Sequence, residues 1–179
     1  IRERDFIQEG LTKRFSFLLS TEPSIYEPEY EEFLSSVKTA LMFNHWIDEV
    51  DEEYLMETYG IRPGELRAKL EIADWLLYST GEMCRLLQYQ SLVKYIIRLR
   101  LRMKYGAKEE LLTLLRLKGV GRVRARMMFR NGIKDIGDVK KVELSKLKLI
   151  LGEKIAISVK EQVGDENVED ERESLKGWG

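Results

Sequence analysis

The chain has 179 residues, of which 44% are hydrophobic and 34% are charged, so it can bury a core and still carry a heavily solvated surface. The single cysteine excludes an intramolecular disulfide and a zinc site built on a CxxC motif. This cysteine content favours a reducing, intracellular setting. No stretch approaches the roughly 18 consecutive apolar residues of a membrane span.

Charge is segregated along the chain, although the formal net charge is only −1. Residues 22–82 contain 15 acidic and 4 basic side chains, whereas residues 94–134 contain 13 basic and 2 acidic ones. The last fifteen residues, 165–179, are again acidic. A basic block of this density favours a polyanionic partner, and we expect nucleic acid. The alternative interpretation of the block is a solvated helix face.

Apolar side chains recur at helical spacing through most of the chain, which predicts an all-α fold. We expect a helical bundle over residues 1–106, with helices at 2–19, 29–47, 52–59, 63–87 and 91–105. Gly60 and Gly106 suit the ends of the third and fifth helices, because glycine accepts the left-handed conformation of a C-terminal cap. Pro63 suits the first turn of the fourth helix. Since Ile1 already lies in a predicted helix, we expect a piece of a longer protein.

The segments become shorter after Gly106, and glycines separate them. Helices are predicted at 107–117, 121–131, 135–141, 143–150 and 153–163. We therefore expect a second, compact domain over residues 107–164. The acidic residues 165–179 are predicted to form a disordered tail.

The sharpest motif lies at residues 111–132. A leucine-rich segment leads into Gly119-Val120-Gly121, and a second helix with the small residue Ala125 follows. This pattern resembles the helix-hairpin-helix family of DNA-binding motifs. The two glycines allow a tight bend and a close approach of phosphate to the backbone, while Val120 can anchor the bend in the core. The alternative is an αα-hairpin that serves packing alone.

The start of the helix after the bend has the chemistry of an anion site. A helix that begins near Arg122 presents free backbone N–H groups and the positive end of its dipole. Arg122, Arg124 and Arg126 add cationic donors. Such contacts hold the sugar–phosphate backbone and read no base sequence, so we predict non-specific, salt-sensitive binding.

Residues 143–164 provide the helices for a second hairpin. Its turn, Leu151-Gly152-Glu153, lacks the glycine–apolar–glycine pattern and places a carboxylate where a phosphate would lie. We therefore predict a structural role for this hairpin.

Four segments of the predicted bundle carry a second resemblance. Residues 37–41, 46–50, 59–66 and 71–76 resemble the fourth domain of the archaeal Hjm-type DNA repair helicases, and the hairpin domain is similar to their fifth. Together the two matches span most of residues 30–164.

The resemblance implies that residues 63–87 form a "ratchet" helix that touches single-stranded DNA. It further implies that Trp75 stacks on a base and that a cation about two turns earlier assists it. Arg67 is the candidate for this cation, and Lys69 is the weaker option. An exposed Trp can stack on any base, whereas the alternative for Trp75 is a place in the core. We assign Trp46, which lies within an apolar stripe, to the core.

The sequence contains no GxxxxGK[ST] phosphate loop and no set of residues for nucleophilic catalysis, so we predict no active site and no cofactor in this chain. The resemblance implies the C-terminal part of an ATP-dependent 3′–5′ DNA helicase acting on forked or stalled-replication DNA. ATP and magnesium would bind the motor domains of the parent protein. Expected partners are single-stranded or forked DNA, the protein's own N-terminal motor domains, and repair or replication proteins that bind the acidic tail.

Two alternatives remain open from the sequence. The hairpin could belong to a repair nuclease or glycosylase, although no carboxylate partner for Lys118 or Lys134 is evident. The chain could also be a helical protein-interaction module.

Overall fold

A computed structural model describes residues 2–19 and 21–164. These residues form nine α-helices and three short 3-10 helices, with no strand among them, which confirms the predicted all-α class. The predicted disorder of residues 165–179 lies outside the described residues. The α-helices are α1 (Arg2–Arg14), α2 (Tyr30–Ile47), α3 (Glu52–Tyr59), α4 (Pro63–Leu86), α5 (Gln90–Tyr105), α6 (Arg122–Arg130), α7 (Ile136–Lys141), α8 (Leu144–Leu151) and α9 (Glu153–Gln162).

The chain divides into two compact units, one up to Ala73 and one from Asp74, so that the division falls within α4. The domain boundary predicted at Gly106 remains a prediction.

The first unit contains α1 to α3 and the start of α4. Its core is the apolar stripe of α2, in which Leu34, Leu41 and Trp46 are buried, together with Ile7 and Leu11 of α1. The burial of Trp46 agrees with its predicted place in the core.

The first predicted helix is too long. It was expected to continue to Leu19, but α1 ends at Arg14 and a 3-10 turn follows at Phe15–Phe17. Phe15 is 59% exposed. Burial on α1 ends at Leu11, so little packing energy is left to extend the helix, and most helical stability in proteins comes from packing.

Three helix ends in the first unit follow their local sequence closely. The Asp51 side chain caps α3 by accepting a hydrogen bond of 2.9 Å from the Glu53 amide. Gly60 ends the same helix with a φ of 60°, as predicted. Pro63 opens α4, again as predicted.

The second unit is built around the core of residues 107–163. Helices α8 and α9 pack against each other, and Leu147, Ala156 and Val159 are fully buried between these helices and their neighbours. This burial agrees with the structural role predicted for the second hairpin. The buried Lys160 donates a hydrogen bond of 3.0 Å to the Lys140 carbonyl near the end of α7.

The prediction of an α-helix at 107–117 is wrong. The segment instead forms two 3-10 turns, Glu109–Leu111 and Leu114–Arg116. A 3-10 helix brings every third residue onto one face, and Leu111, Leu114 and Leu117 are all buried. In an α-helix, each step of three residues would shift the side chain by about 60°, so Leu111 and Leu117 would lie about 120° apart.

The surroundings of His45 predict a pH-dependent stability for the first unit. Its ring shares a hydrogen bond of 3.0 Å with the Tyr59 hydroxyl. Burial lowers the pKa of His45, and the positive charge of Arg14 lowers it further. The folded state therefore favours the neutral ring, whereas the unfolded chain takes up a proton near its ordinary pKa of 6.5.

We predict that the folded state loses stability as the pH falls from about 7.5 to about 5.5, because the unfolded histidine gains its proton at a higher pH than the folded one. His45→Gln should reduce this loss. His45 is the single histidine of the chain, so the difference between the two proteins isolates its contribution. Thermal denaturation of the unaltered chain and of the variant at several pH values measures this loss. An identical pH dependence of the two melting temperatures would contradict the assignment.

Candidate nucleic-acid interface

The bend at residues 119–121 is anchored by its middle residue, and the residues on either side of it are exposed to solvent. Val120 is 4% exposed, as its predicted anchoring role requires, whereas Gly119 and Gly121 are exposed. Gly119 has a φ of 82°, in the left-handed region that favours glycine. The Val120 amide donates a hydrogen bond of 3.1 Å to the Leu117 carbonyl, which closes the turn.

Helix α6 begins at Arg122, directly after the bend, as predicted. Its N-cap is Gly121, which supplies no capping side chain, and the first bond of the helix runs from the Ala125 amide to the Gly121 carbonyl at 2.9 Å. The positive end of the helix dipole therefore meets the surface beside the bend.

The three arginines of α6 occupy different environments. Arg124 is exposed, and its Nη1 donates a hydrogen bond of 2.9 Å to the Gly119 carbonyl, which places the guanidinium beside the bend. Arg122 is half-buried. Arg126 forms an ion pair of 2.8 Å with Glu110 and lies over the Phe129 ring, with only 20% of its side chain exposed. Arg124 is therefore the most accessible of the three.

A glutamine side chain of α9 hydrogen bonds to the backbone of the residue that precedes the bend. The Gln162 side chain accepts a hydrogen bond of 2.7 Å from the Lys118 amide and donates one of 3.1 Å to the Lys118 carbonyl. Ile155, also on α9, lies 3.4 Å from where a Cβ on Gly119 would be. Sequence reasoning missed this clamp, because no local pattern links residues 44 positions apart.

Trp75 lies on the surface of α4, with 64% of its area exposed. The alternative that placed it in the core is therefore wrong. Its neighbour Asp74 accepts two hydrogen bonds from Arg100 of α5, at 2.9 and 2.8 Å. Arg100 also lies 5.0 Å from the centre of the Tyr78 ring. Hydrogen bonding to Arg100 lowers the pKa of Asp74, which keeps this carboxylate charged.

Arg67 and Lys69, the candidates for the cation that assists Trp75, belong to the first unit. Both are exposed. The Nε of Arg67 lies 3.2 Å from a carboxylate oxygen of Glu71, one turn further along α4. Such an exposed pair contributes little to stability, about 0.3–0.5 kcal/mol, so it can open at small cost.

In the part of the chain that the structure describes, no helix has the length and hydropathy needed to cross a membrane.

Comparison with known proteins gives a consistent result. The family described as "Archaeal helicase, domain 4" matches residues 2–106. The ATP-dependent DNA helicase Hel308 of Caldivirga maquilingensis is 43% identical over 141 residues, which are 76% of this chain and 19% of that protein. Hel308 of Pyrococcus abyssi is 39% identical over 79% of this chain and 21% of its own length. Hel308 of Thermococcus kodakarensis is 36% identical over 89% of this chain and 14% of its own length.

The chain spans about a fifth or less of the curated relatives it matches. The family match covers all four segments on which the resemblance to the Hjm-type fourth domain was drawn. The chain therefore belongs to the archaeal Hel308 (Hjm) helicase family, and it contains the domain 4 region of that family.

Proposed function

We propose that this chain grips single-stranded DNA for an ATP-dependent 3′–5′ helicase that acts on forked or stalled-replication DNA. The observation that carries the proposal is the exposed bend at residues 119–121 at the open N-terminus of α6. The matched relatives are named ATP-dependent DNA helicases, which supports the same conclusion. ATP and magnesium would bind motor domains elsewhere in the polypeptide, and those domains would be the chain's first partners.

The bend suits a phosphate for two reasons. Its glycines have no side chain beyond the backbone, so an anion can approach the amides at the start of α6. Arg124 is already held beside the bend by the Gly119 carbonyl, so less of its side-chain freedom is lost on binding. Arg122 lies at the same helix end, whereas Arg126 would have to exchange Glu110 for a phosphate. These contacts involve the DNA backbone, so binding would not depend on base sequence.

Trp75 is the proposed stacking residue. Every base has a flat π-face, so an exposed indole can bind each in turn as the strand moves. Trp75 lies on the turn of α4 that the bidentate Asp74–Arg100 pair attaches to α5. This attachment holds in place the backbone from which the indole ring extends. Arg67 is the proposed cation on the same helix, and Lys69 is the alternative. We further propose that the acidic residues 165–179 bind repair or replication proteins.

The hairpin can be tested with Arg122→Ala combined with Arg124→Ala. Each phosphate contact on a single strand contributes about 0.7 to the slope of log K against log salt concentration. We predict weaker binding of an oligo-dT strand, with the slope reduced by about 1.4. Fluorescence anisotropy over a range of salt concentrations measures both quantities.

The matched control is Lys141→Ala with Lys146→Ala, which removes the same charge from exposed positions after the hairpin. This control should bind almost as the unaltered chain does. Equal slopes for the hairpin variant and the unaltered chain would remove the bend from the DNA interface.

The stacking role predicts that Trp75→Ala weakens oligo-dT binding by about 1–3 kcal/mol for each stacked base. Because Trp75 is exposed, the melting temperature of the Trp75→Ala variant should differ little from that of the unaltered chain. Trp46→Ala is the contrasting variant, since loss of a buried Trp costs about 3–5 kcal/mol of stability. Fluorescence anisotropy measures the DNA affinity of both variants, and thermal denaturation measures their stability. A Trp75 variant that binds normally, or that melts as early as the Trp46 variant, would contradict the proposal.

A further inference from the structure

A groove lies in the second unit between α5 and the two 3-10 turns of residues 109–116. Its volume is about 540 Å³, which is within the usual range of small-molecule sites, about 300–1,000 Å³. Val93, Ile97 and Leu101 follow one another at every fourth position of α5 and line one side, and Leu112 lines the other. Ile97 is 43% exposed, so this part of the apolar lining is open to solvent.

The polar lining of this groove is dominated by cations. Lys94, Arg98 and Arg116 all line it, and Glu109 is the single carboxylate among the described residues of its lining. Glu109 is already paired with Arg98, at 2.7 Å. Lys94 and Arg116 are exposed, and no carboxylate among the described residues forms an ion pair with either of them. Two positive charges are therefore available to an anionic ligand.

The groove lies next to the hairpin along the chain. Arg116 ends the second 3-10 turn, three residues before Gly119. The groove lining and the bend are thus joined by a short stretch of chain, and a strand that contacts both would meet the positive charge of Arg116.

We propose that the groove is a second binding site for the single strand held by the hairpin. Lys94 and Arg116 bind its phosphates, and an unstacked base lies against Ile97 and Leu112. The inference rests on the proposed function, since it extends the path of the same DNA.

The combination of linings favours a single strand over other polyanions. A single strand can turn its bases toward an apolar wall while its phosphates face cations. A duplex keeps its bases paired inside and presents mainly phosphate to a surface groove. An acidic protein segment would also match the charges, but Arg116 lies only three residues before Gly119 in the sequence, which favours the partner of the hairpin.

The test uses the 179-residue chain and an oligo-dT strand of about 16 nucleotides, the upper end of the site sizes of single-strand-binding folds. The groove variant is Lys94→Ala with Arg116→Ala, which leaves no described carboxylate without its partner. We expect weaker binding and a salt slope lowered by about 1.4. Combining this variant with the hairpin variant should lower the slope by about 2.8, since the two sites contact different phosphates.

A second variant tests the apolar wall. Ile97→Glu places a carboxylate where the base should lie, and the fold should tolerate it because Ile97 is partly exposed. We expect a greater loss of oligo-dT affinity than from Leu149→Glu, which adds the same charge at a position that is 88% exposed on α8. Thermal denaturation of both variants verifies that they remain folded.

The outcomes separate this inference from the proposed function. Lys141→Ala with Lys146→Ala is also the control for the charge variant of the groove. If the groove variants bind like their controls while the hairpin variant binds weakly, the proposal of a second site is wrong and that of the hairpin stands. The groove would then be assigned to the binding of a protein partner instead of DNA. If neither the groove nor the hairpin variant differs from its control, both proposals fail together.

Discussion

The candidate interface depends on the burial of Val120 between two exposed glycines. The valine fixes the bend in the core, and its neighbours leave the backbone open on the outside. Gln162 adds a polar constraint by hydrogen bonding to both backbone groups of Lys118. The second hairpin, which lacks the phosphate-binding pattern itself, thus holds the first. An anion site gains from such rigidity, because less freedom is lost when the ligand binds.

Ion pairing divides the basic block into two kinds of cation. Glu109 and Glu110, the two carboxylates within residues 94–134, pair with Arg98 and Arg126. Asp74 pairs with Arg100 from outside the block. These arginines connect α5, α6 and the 3-10 turns to their neighbours. The exposed cations Lys94, Arg116 and Arg124 have no such carboxylate among the described residues. A high density of positive charge thus supports the fold in some places and leaves surface charge available in others.

Much of this could be predicted from local sequence, and the remainder depends on long-range contacts. Pro63, Gly60 and Gly106 mark helix ends because their backbone preferences act alone, and the structure confirms all three. The 3-10 turns before the bend were missed, because leucine spacing of three and four residues also fits an α-helix. The pairing of Arg126 with Glu110 and the Gln162 clamp join residues 16 and 44 positions apart. No local pattern contains that information.

The backbone amides at the bend offer the most direct measurement of the central claim. In a ¹⁵N–¹H spectrum of the chain titrated with oligo-dT, phosphate binding at the start of α6 should shift the amide signals of Gly121, Arg122 and Val123 most strongly. The amide of Val120, which bonds to Leu117, should move less. Large shifts elsewhere, with these three signals unchanged at saturation, would show that the DNA binds another surface.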